Sequence, residues 1–277
     1  MHLPLQFLRS VGRPCCGDIV EYEEDSNRGT VVTRILPRSN VFARADQYLE
    51  KQIIAANLDR ILIVIAPEPM PSQDLVERYL VASHNLGIVP ILVINKTDLM
   101  SPDKFSEASP LGRLDEYRSL GYDLVRSSCN GVPGVSELLP YLANRKSIFV
   151  GQSGVGKSSL VNALIPDLDI QIGQLSDSTG KGRHTTTTTR MYSMDNARAP
   201  DGRLVDSPGV WEFGLWKLGP AELAEGFTEF RPYFGQCRFN DCRHDTEPSC
   251  AIRAAADTGQ INLWRYQSYV RLLRQST

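Results

Sequence analysis

The sequence predicts a multidomain α/β protein: a small N-terminal β module, a parallel α/β domain whose motifs stand in permuted order, and a C-terminal Cys/His segment. Three observations predict it. Short β-rich runs punctuated by glycine occupy the chain up to about Arg44, apolar strands alternate with helical stretches from Asn57 onward, and Cys237, Cys242, His244 and Cys250 crowd together near the end. Alternating strands and helices of this kind build a parallel sheet with crossover helices.

At 277 residues, 42% of them hydrophobic, the chain exceeds what one small core needs and fits two or three domains. No apolar run approaches the roughly 18 residues that span a bilayer. Met1–Ser10 lacks the basic start and long apolar stretch of a signal peptide, so a cytosolic location with no membrane partner is expected. The formal net charge of −2, from 30 basic and 32 acidic residues, leaves no global field for nucleic acid; RNA contacts would have to come from local patches. A monomer is expected.

In the N-terminal module the β-rich runs are Asp18–Glu23 and Gly29–Leu36, set off by Gly12, Gly17, Asn27 and Gly29, which reads as a small sheet or barrel. Strands are then expected at Arg60–Ala66, Ile88–Ile94, Tyr122–Ser127 and Ser147–Val150, and helices at Gln73–Leu86, Val135–Ala143 and Lys157–Leu164. The tail from Thr258 to Arg274 sets Ile261, Trp264, Tyr269, Val270 and Leu273 among arginines, and reads as a docked amphipathic helix or as an RNA-binding face, the helix being preferred.

Between the apolar strand ending at Val150 and the helix after Lys157 stands Gly151-Gln152-Ser153-Gly154-Val155-Gly156-Lys157-Ser158, followed by Ser159. This is G-x-x-x-x-G-K-[ST] in the strand-loop-helix setting that a phosphate loop requires. Glycines let backbone N–H groups turn inward around a phosphate, and the helix N-terminus adds partial positive charge. Lys157 is expected to reach the β- and γ-phosphate oxygens, and the Ser158 hydroxyl to coordinate Mg²⁺.

Asn95-Lys96-Thr97-Asp98 follows a strand and forms an N-K-x-D. An aspartate there can accept from both the N1–H and the exocyclic amine of guanine, whereas adenine presents neither pattern. The segment Val125-Arg126-Ser127-Ser128-Cys129 can supply backbone to the guanine O6 through Ser127 and Ser128. The base-reading motif ordinarily follows the phosphate loop; here it precedes it, so the domain reads as circularly permuted, which a sheet tolerates when the old termini lie close together.

Asp206-Ser207-Pro208-Gly209 follows the apolar pair Leu204-Val205, placing Asp206 to hold Mg²⁺ through water and the Gly209 N–H to meet a γ-phosphate. The next residue is Val210, which cannot orient water as a glutamine would. Gly180 to Thr186 lies between the two phosphate motifs and contains His184 followed by five threonines. His184 is the candidate for orienting the attacking water, and Thr186 or a neighbouring threonine for completing the Mg²⁺ shell. A hydrolase without a built-in glutamine should be slow until a partner stimulates it.

Cys237, Cys242, His244 and Cys250 form C-x₄-C-x-H-x₅-C, three thiolates and an imidazole suited to one tetrahedral Zn²⁺. Four ligands close the shell, so the expected role is structural. Clustered cysteines in a cytosolic chain point to metal rather than to disulfides. Arg231, Arg238, Arg243, Arg253, Arg265, Arg271 and Arg274 surround the segment with Trp264, Tyr266 and Tyr269, a composition suited either to RNA contact or to packing.

The order N-K-T-D, G-Q-S-G-V-G-K-S-S, G-R-H-T-T-T, D-S-P-G-V-W-E-F-G-L-W, C-x₄-C-x-H-x₅-C resembles, over nearly the whole chain, the circularly permuted GTPases of the RsgA/YjeQ family. The resemblance implies an N-terminal OB-type β-barrel (1–45), a circularly permuted P-loop GTPase domain (46–215) and a C-terminal zinc-binding domain (216–277). It implies GTP and GDP as ligands, GTPase activity stimulated by the 30S ribosomal subunit and its 16S rRNA, and a role in late maturation of that subunit. It carries nucleotide contacts to Asn95, Lys96, Thr97, Asp98 and Gly151 to Ser159, the zinc ligands to Cys237, Cys242, His244 and Cys250, and the family's proposed catalytic histidine to His184. The family's barrel begins some tens of residues earlier than Leu3, so either the start here is truncated or the barrel is minimal. Two other readings compete: an RNA-docking protein holding GTP as a structural ligand, and an ATP-using kinase, which Asn95 and Asp98 disfavour.

Overall fold

The computed structural model describes residues 13–25, 29–45, 51–101, 105, 109–165, 189–194, 199–206 and 218–276. The strands in chain order are β1 (Val20–Asp25), β2 (Gly29–Ile35), β3 (Val41–Ala45), β4 (Lys51–Ala56), β5 (Arg60–Ile65), β6 (Ile91–Ile94), β7 (Asp123–Arg126), β8 (Lys146–Val150), β9 (Arg190–Ser193) and β10 (Arg203–Asp206). The helices are α1 (Gln73–Asn85), α2 (Leu114–Ser119), α3 (Leu139–Leu142), α4 (Lys157–Leu164), α5 (Pro220–Glu225), α6 (Ala251–Asp257) and α7 (Leu263–Ser276).

Six strands form one sheet in the order β7-β6-β5-β8-β10-β9, parallel except for β9 against β10. Strand β5, Arg-Ile-Leu-Ile-Val-Ile, is buried after its first residue because both faces of the sheet are covered. Its alternation splits the core. Ile61, Ile63 and Ile65 pack with Tyr79, Leu80 and Tyr117 on the α1 and α2 side, while Leu62 and Val64 pack with Phe149, Leu160, Val161 and Leu164 on the α4 side. The ends of β6, β5 and β8 thereby meet on one edge, the edge where open α/β sheets place their ligands.

Helix α1 begins at Ser72, whose hydroxyl accepts from the Leu75 N–H at 3.4 Å, with Asp74 in its first turn. A third core joins Val81 of α1 to Leu223, Phe227, Phe230, Ile252, Tyr269 and Leu272 of the C-terminal helices. Gly226 makes that approach feasible: a Cβ there would sit 2.6 Å from Val81 Cγ1.

The described residues differ from several expectations. The described N-terminal residues form two separate antiparallel hairpins, β1–β2 and β3–β4, with Cys16, ahead of β1, bridging to Ala55 of β4, and these sheets are not closed into a barrel. Hairpin β3–β4 straddles the expected boundary at 45/46, since Phe42 pairs with Ala55 across it. Strand β6 starts at Ile91 rather than Ile88, because Pro90 has no N–H for the ladder and the Ile88 N–H is spent on Ser83 O. The helix expected at Val135–Ala143 is a 3-10 turn, Ser136–Leu138, followed by α3, because Pro140 cannot donate back to the preceding turn. The tail is a docked helix, but it starts at Leu263, with Gly259 at φ 74° in the turn after α6.

Candidate functional site

The loop from Gly151 to Gly156 needs its glycines for contact as well as for turning. Gly151, at φ 142°, would place a Cβ 2.2 Å from Val64 O, and Gly156, at φ 95°, a Cβ 2.4 Å from Asn95 Nδ2. Val155 is fully buried and pins the loop to the sheet. Lys157 turns back over the loop and donates to Gly151 O at 2.7 Å and Gln152 O at 2.8 Å. Burial lowers its pKa to about 8, partly countered by Asp206. Serines 158 and 159 open α4 beside it.

The N-K-x-D segment is locked to the same loop. The buried Asn95 side chain donates from Nδ2 to Val155 O at 2.8 Å and accepts at Oδ1 from the Ser127 hydroxyl at 3.2 Å. Lys96, at φ 56°, turns the chain in the left-handed region and donates to Glu68 O at 2.7 Å. The Thr97 hydroxyl donates to Ser127 O at 3.1 Å, and the Ser128 hydroxyl donates to Asp98 Oδ1 at 2.5 Å. Asn95 to Asp98, Ser127, Ser128 and the phosphate loop thus form one hydrogen-bonded constellation, although Asn95 and Val155 lie 60 residues apart in the chain.

Asp206 ends β10 with a half-buried carboxylate whose pKa is raised by burial against the opposing pull of Lys157 and Arg190. A carboxylate withdrawn from water beside the loop suits a hard cation, as does the Ser158 hydroxyl. His184, Thr186, Gly209 and Val210 lie outside the described residues.

Sequence reasoning missed Tyr79 of α1, which lines one pocket with Gly151, the Glu68 carbonyl that holds Lys96, and Arg190 beside Asp206. The first two come from elements that carry no motif. Arg190 follows the five threonines and belongs to no motif.

Cys237, Cys242, His244 and Cys250 converge, their ligand atoms all within 4.8 Å of one another. His244 Nδ1 stands 3.5 Å from both Cys237 Sγ and Cys250 Sγ. Sulfurs bound to one Zn²⁺ at about 2.3 Å in a tetrahedron lie just under 4 Å apart, so the donor set and its span fit such an ion. The N–H groups of Ala251 and Arg253 donate to Cys237 Sγ and Cys250 Sγ, each at 3.4 Å, as outer partners of metal thiolates do. Burial, with the other cysteines adding to it, pushes the Cys242 thiol up to about 12, so the set needs a cation to hold it as thiolates. The Tyr266 and Tyr269 hydroxyls brace the loop, donating to His244 O at 2.9 Å and Arg243 O at 2.6 Å.

Of the surrounding arginines, Arg265 is fully buried and serves packing, while Arg231, Arg238, Arg243, Arg271 and Arg274 are exposed. Tyr266 and Tyr269 are buried as well. Among the described residues no helix is long and apolar enough to cross a membrane.

Comparison with known proteins places this architecture. The RsgA GTPase family model matches residues 35–216. The small ribosomal subunit biogenesis GTPase RsgA of Hahella chejuensis (strain KCTC 2396) is 44% identical over 256 residues, covering 92% of this chain and 72% of that protein. Its namesake in Azotobacter vinelandii is 45% identical over 257 residues, 93% of this chain and 73% of that one. The crystal structure of YjeQ from Thermotoga maritima superposes with a TM-score of 0.77 at 30% identity, covering 99% of this chain and 88% of that chain. That of YloQ, a circularly permuted GTPase, gives 0.71 at 26% identity, covering 97% and 84%. With the phosphate loop and N-K-x-D joined in permuted order, and relatives matching on both sequence and fold, the chain belongs to the RsgA GTPase family, and it is a GTP hydrolase.

Proposed function

We propose that the chain is a monomeric cytoplasmic GTPase that binds the small ribosomal subunit and its 16S rRNA, is stimulated by it, and acts in its maturation. The names of its relatives support the ribosomal part. The observation that carries the nucleotide part is the 2.8 Å hydrogen bond from Asn95 to Val155 O, which ties the base-reading segment to the phosphate loop.

In this reading Asp98 accepts from the guanine N1–H and amine, Asn95 and Thr97 hold the base-reading turn, Lys96 flanks the base, and the Ser127 and Ser128 backbone approaches O6. Residues Gly151 to Ser159 wrap the phosphates, and Lys157 exchanges the Gly151 and Gln152 carbonyls for β- and γ-phosphate oxygens. Ser158, Asp206 and Thr186 would hold Mg²⁺, which neutralises charge developing on the phosphates. His184 orients the attacking water, and the Gly209 N–H meets the γ-phosphate. Cys237, Cys242, His244 and Cys250 hold one structural Zn²⁺. Hairpins β1–β2 and β3–β4 belong to an OB-type module ending near Ala56, ahead of a GTPase domain to about residue 215 and a zinc domain from about 216.

The test is GTP hydrolysis titrated with purified 30S subunits. Stimulation on the order of 10³-fold or more is expected, since partner-supplied groups add on the order of 10³ to 10⁵ in rate. His184→Ala should lose most of the stimulated rate while GTP still binds. No stimulation at saturating subunits would sink the ribosomal assignment; unchanged hydrolysis in His184→Ala would remove that residue from the mechanism.

A further inference from the structure

Between β5 and α1 the chain runs Ala66-Pro67-Glu68-Pro69-Met70-Pro71-Ser72, with three prolines in seven residues. Each proline fixes its own φ and restricts the residue before it, so Glu68 and Met70 keep little backbone freedom. The segment leaves the sheet at the carboxyl end of β5, beside the nucleotide motifs, and ends on Ser72, which caps α1. It is a stiff strap that belongs to neither motif.

Contacts fix where the strap lies. The Pro69 ring stands over the phosphate loop: a Cβ built on Gly154 would lie 3.4 Å from Pro69 Cδ and 3.7 Å from Pro69 Cγ. Further on, Pro71 and Ser72 line a pocket with Gly151, Gln152 and Val155. The Ser109 hydroxyl donates to Met70 Sδ at 3.2 Å and accepts from the Leu111 N–H at 3.3 Å, which ties the strap to the segment that follows the base-reading turn. Seated in this way, the strap presents one group to that turn. Lys96 runs beside the phosphate loop, its Cε 3.8 Å from where a Cβ on Gly156 would stand, and its ammonium donates to the Glu68 carbonyl at 2.7 Å. A lysine side chain loses much rotamer freedom when it is held in one place. An acceptor on a proline-stiffened backbone holds it there, so ordering the lysine is not left to the nucleotide.

We propose that Glu68 and Pro69 are positioning residues for the nucleotide site: the strap, seated on Gly154, sets Lys96 through the Glu68 carbonyl, and Lys96 so placed flanks the base. The inference rests on the nucleotide reading given above.

The experiment measures release of radiolabelled GDP from the full chain into excess unlabelled GDP, with zinc content and thermal midpoint recorded for each variant. Lys157→Ala, which should abolish binding, tests the underlying reading separately. Lys96→Met keeps the stem and removes the ammonium, and should speed release by about 5-fold, the effect of one ordinary hydrogen bond. Pro69→Ala leaves a carbonyl at 68 but removes the ring that seats and stiffens it, and should speed release by a similar factor with zinc content unchanged. If Pro69→Ala does not fold, Met70→Ala replaces it, removing only the tie to Ser109, with about a 2-fold effect expected from that weaker contact. In a double-mutant cycle, adding the strap variant to Lys96→Met should change release little further, because both act through the same hydrogen bond. Unchanged release in Pro69→Ala, or in Met70→Ala where it stands in, overturns the proposal. So do effects that simply multiply, since the strap would then act on the phosphate loop without Lys96.

Discussion

Gly156 shows how one residue joins two motifs. Its φ of 95° is costly for any L side chain, and a Cβ would meet Asn95 Nδ2 at 2.4 Å, the atom that holds Val155 O. Gly156→Ala should therefore weaken guanine nucleotide binding by about 10-fold or more, the factor that roughly 1.4 kcal/mol of strain and lost hydrogen bonding represents, checked by titration with a fluorescent nucleotide. Lys157 carries a second expectation. Burial depresses its pKa to about 8, so it is charged below that pH and increasingly neutral above it. Phosphate oxygens bind the charged form, hence nucleotide affinity should hold from pH 6 to about 7.5 and fall as pH rises through about 8, each bound nucleotide taking up a proton. Affinity measured across that range in a single mixed buffer would show it; a flat profile up to pH 9.5 would mean the lysine stays protonated.

At the scale of elements, legibility followed the strength of local pattern. Helix α4 was readable to its last residue, Leu164, because the phosphate loop marks its start and three buried apolar positions mark its face. The stretch 135–143 misled because its apolar spacing is helical while Pro140 denies the backbone its bonds. The Cys/His segment needed no periodicity, since ligand type and number define it, and the fold brings all four side chains together. Cys250 also caps α6 and lies in the same core as Phe227 and Tyr269, so that core and the metal loop share one residue. Stripping Zn²⁺ with a strong chelator should lower the thermal midpoint by about 10 °C or more, because structural zinc contributes several kcal/mol and each is worth about 2 to 4 °C at this size. Calorimetry with metal analysis tests this, and Cys242→Ser should lose most of its zinc.

Across the whole molecule, the sequence by itself determined the nucleotide chemistry, the permuted order and the ligand set for a metal, because each is a short run whose residue types are dictated by the group they hold. Composition kept open whether the arginine-rich tail packs or binds RNA. Only the tertiary structure assigned Arg265 to packing, by burying it against Glu77 and Glu229, charges 188 and 36 residues away in the chain, while Arg271 and Arg274 stay exposed. It also decided that hairpin β3–β4 runs past residue 45 and that Tyr79, on a helix without a motif, lines one pocket with Gly151 of the phosphate loop. The physical reason is common to all three. Backbone turns and ligand spacings are local properties, whereas which buried charge meets which, and which side chain lines which loop, depends on how helices dock across a sheet.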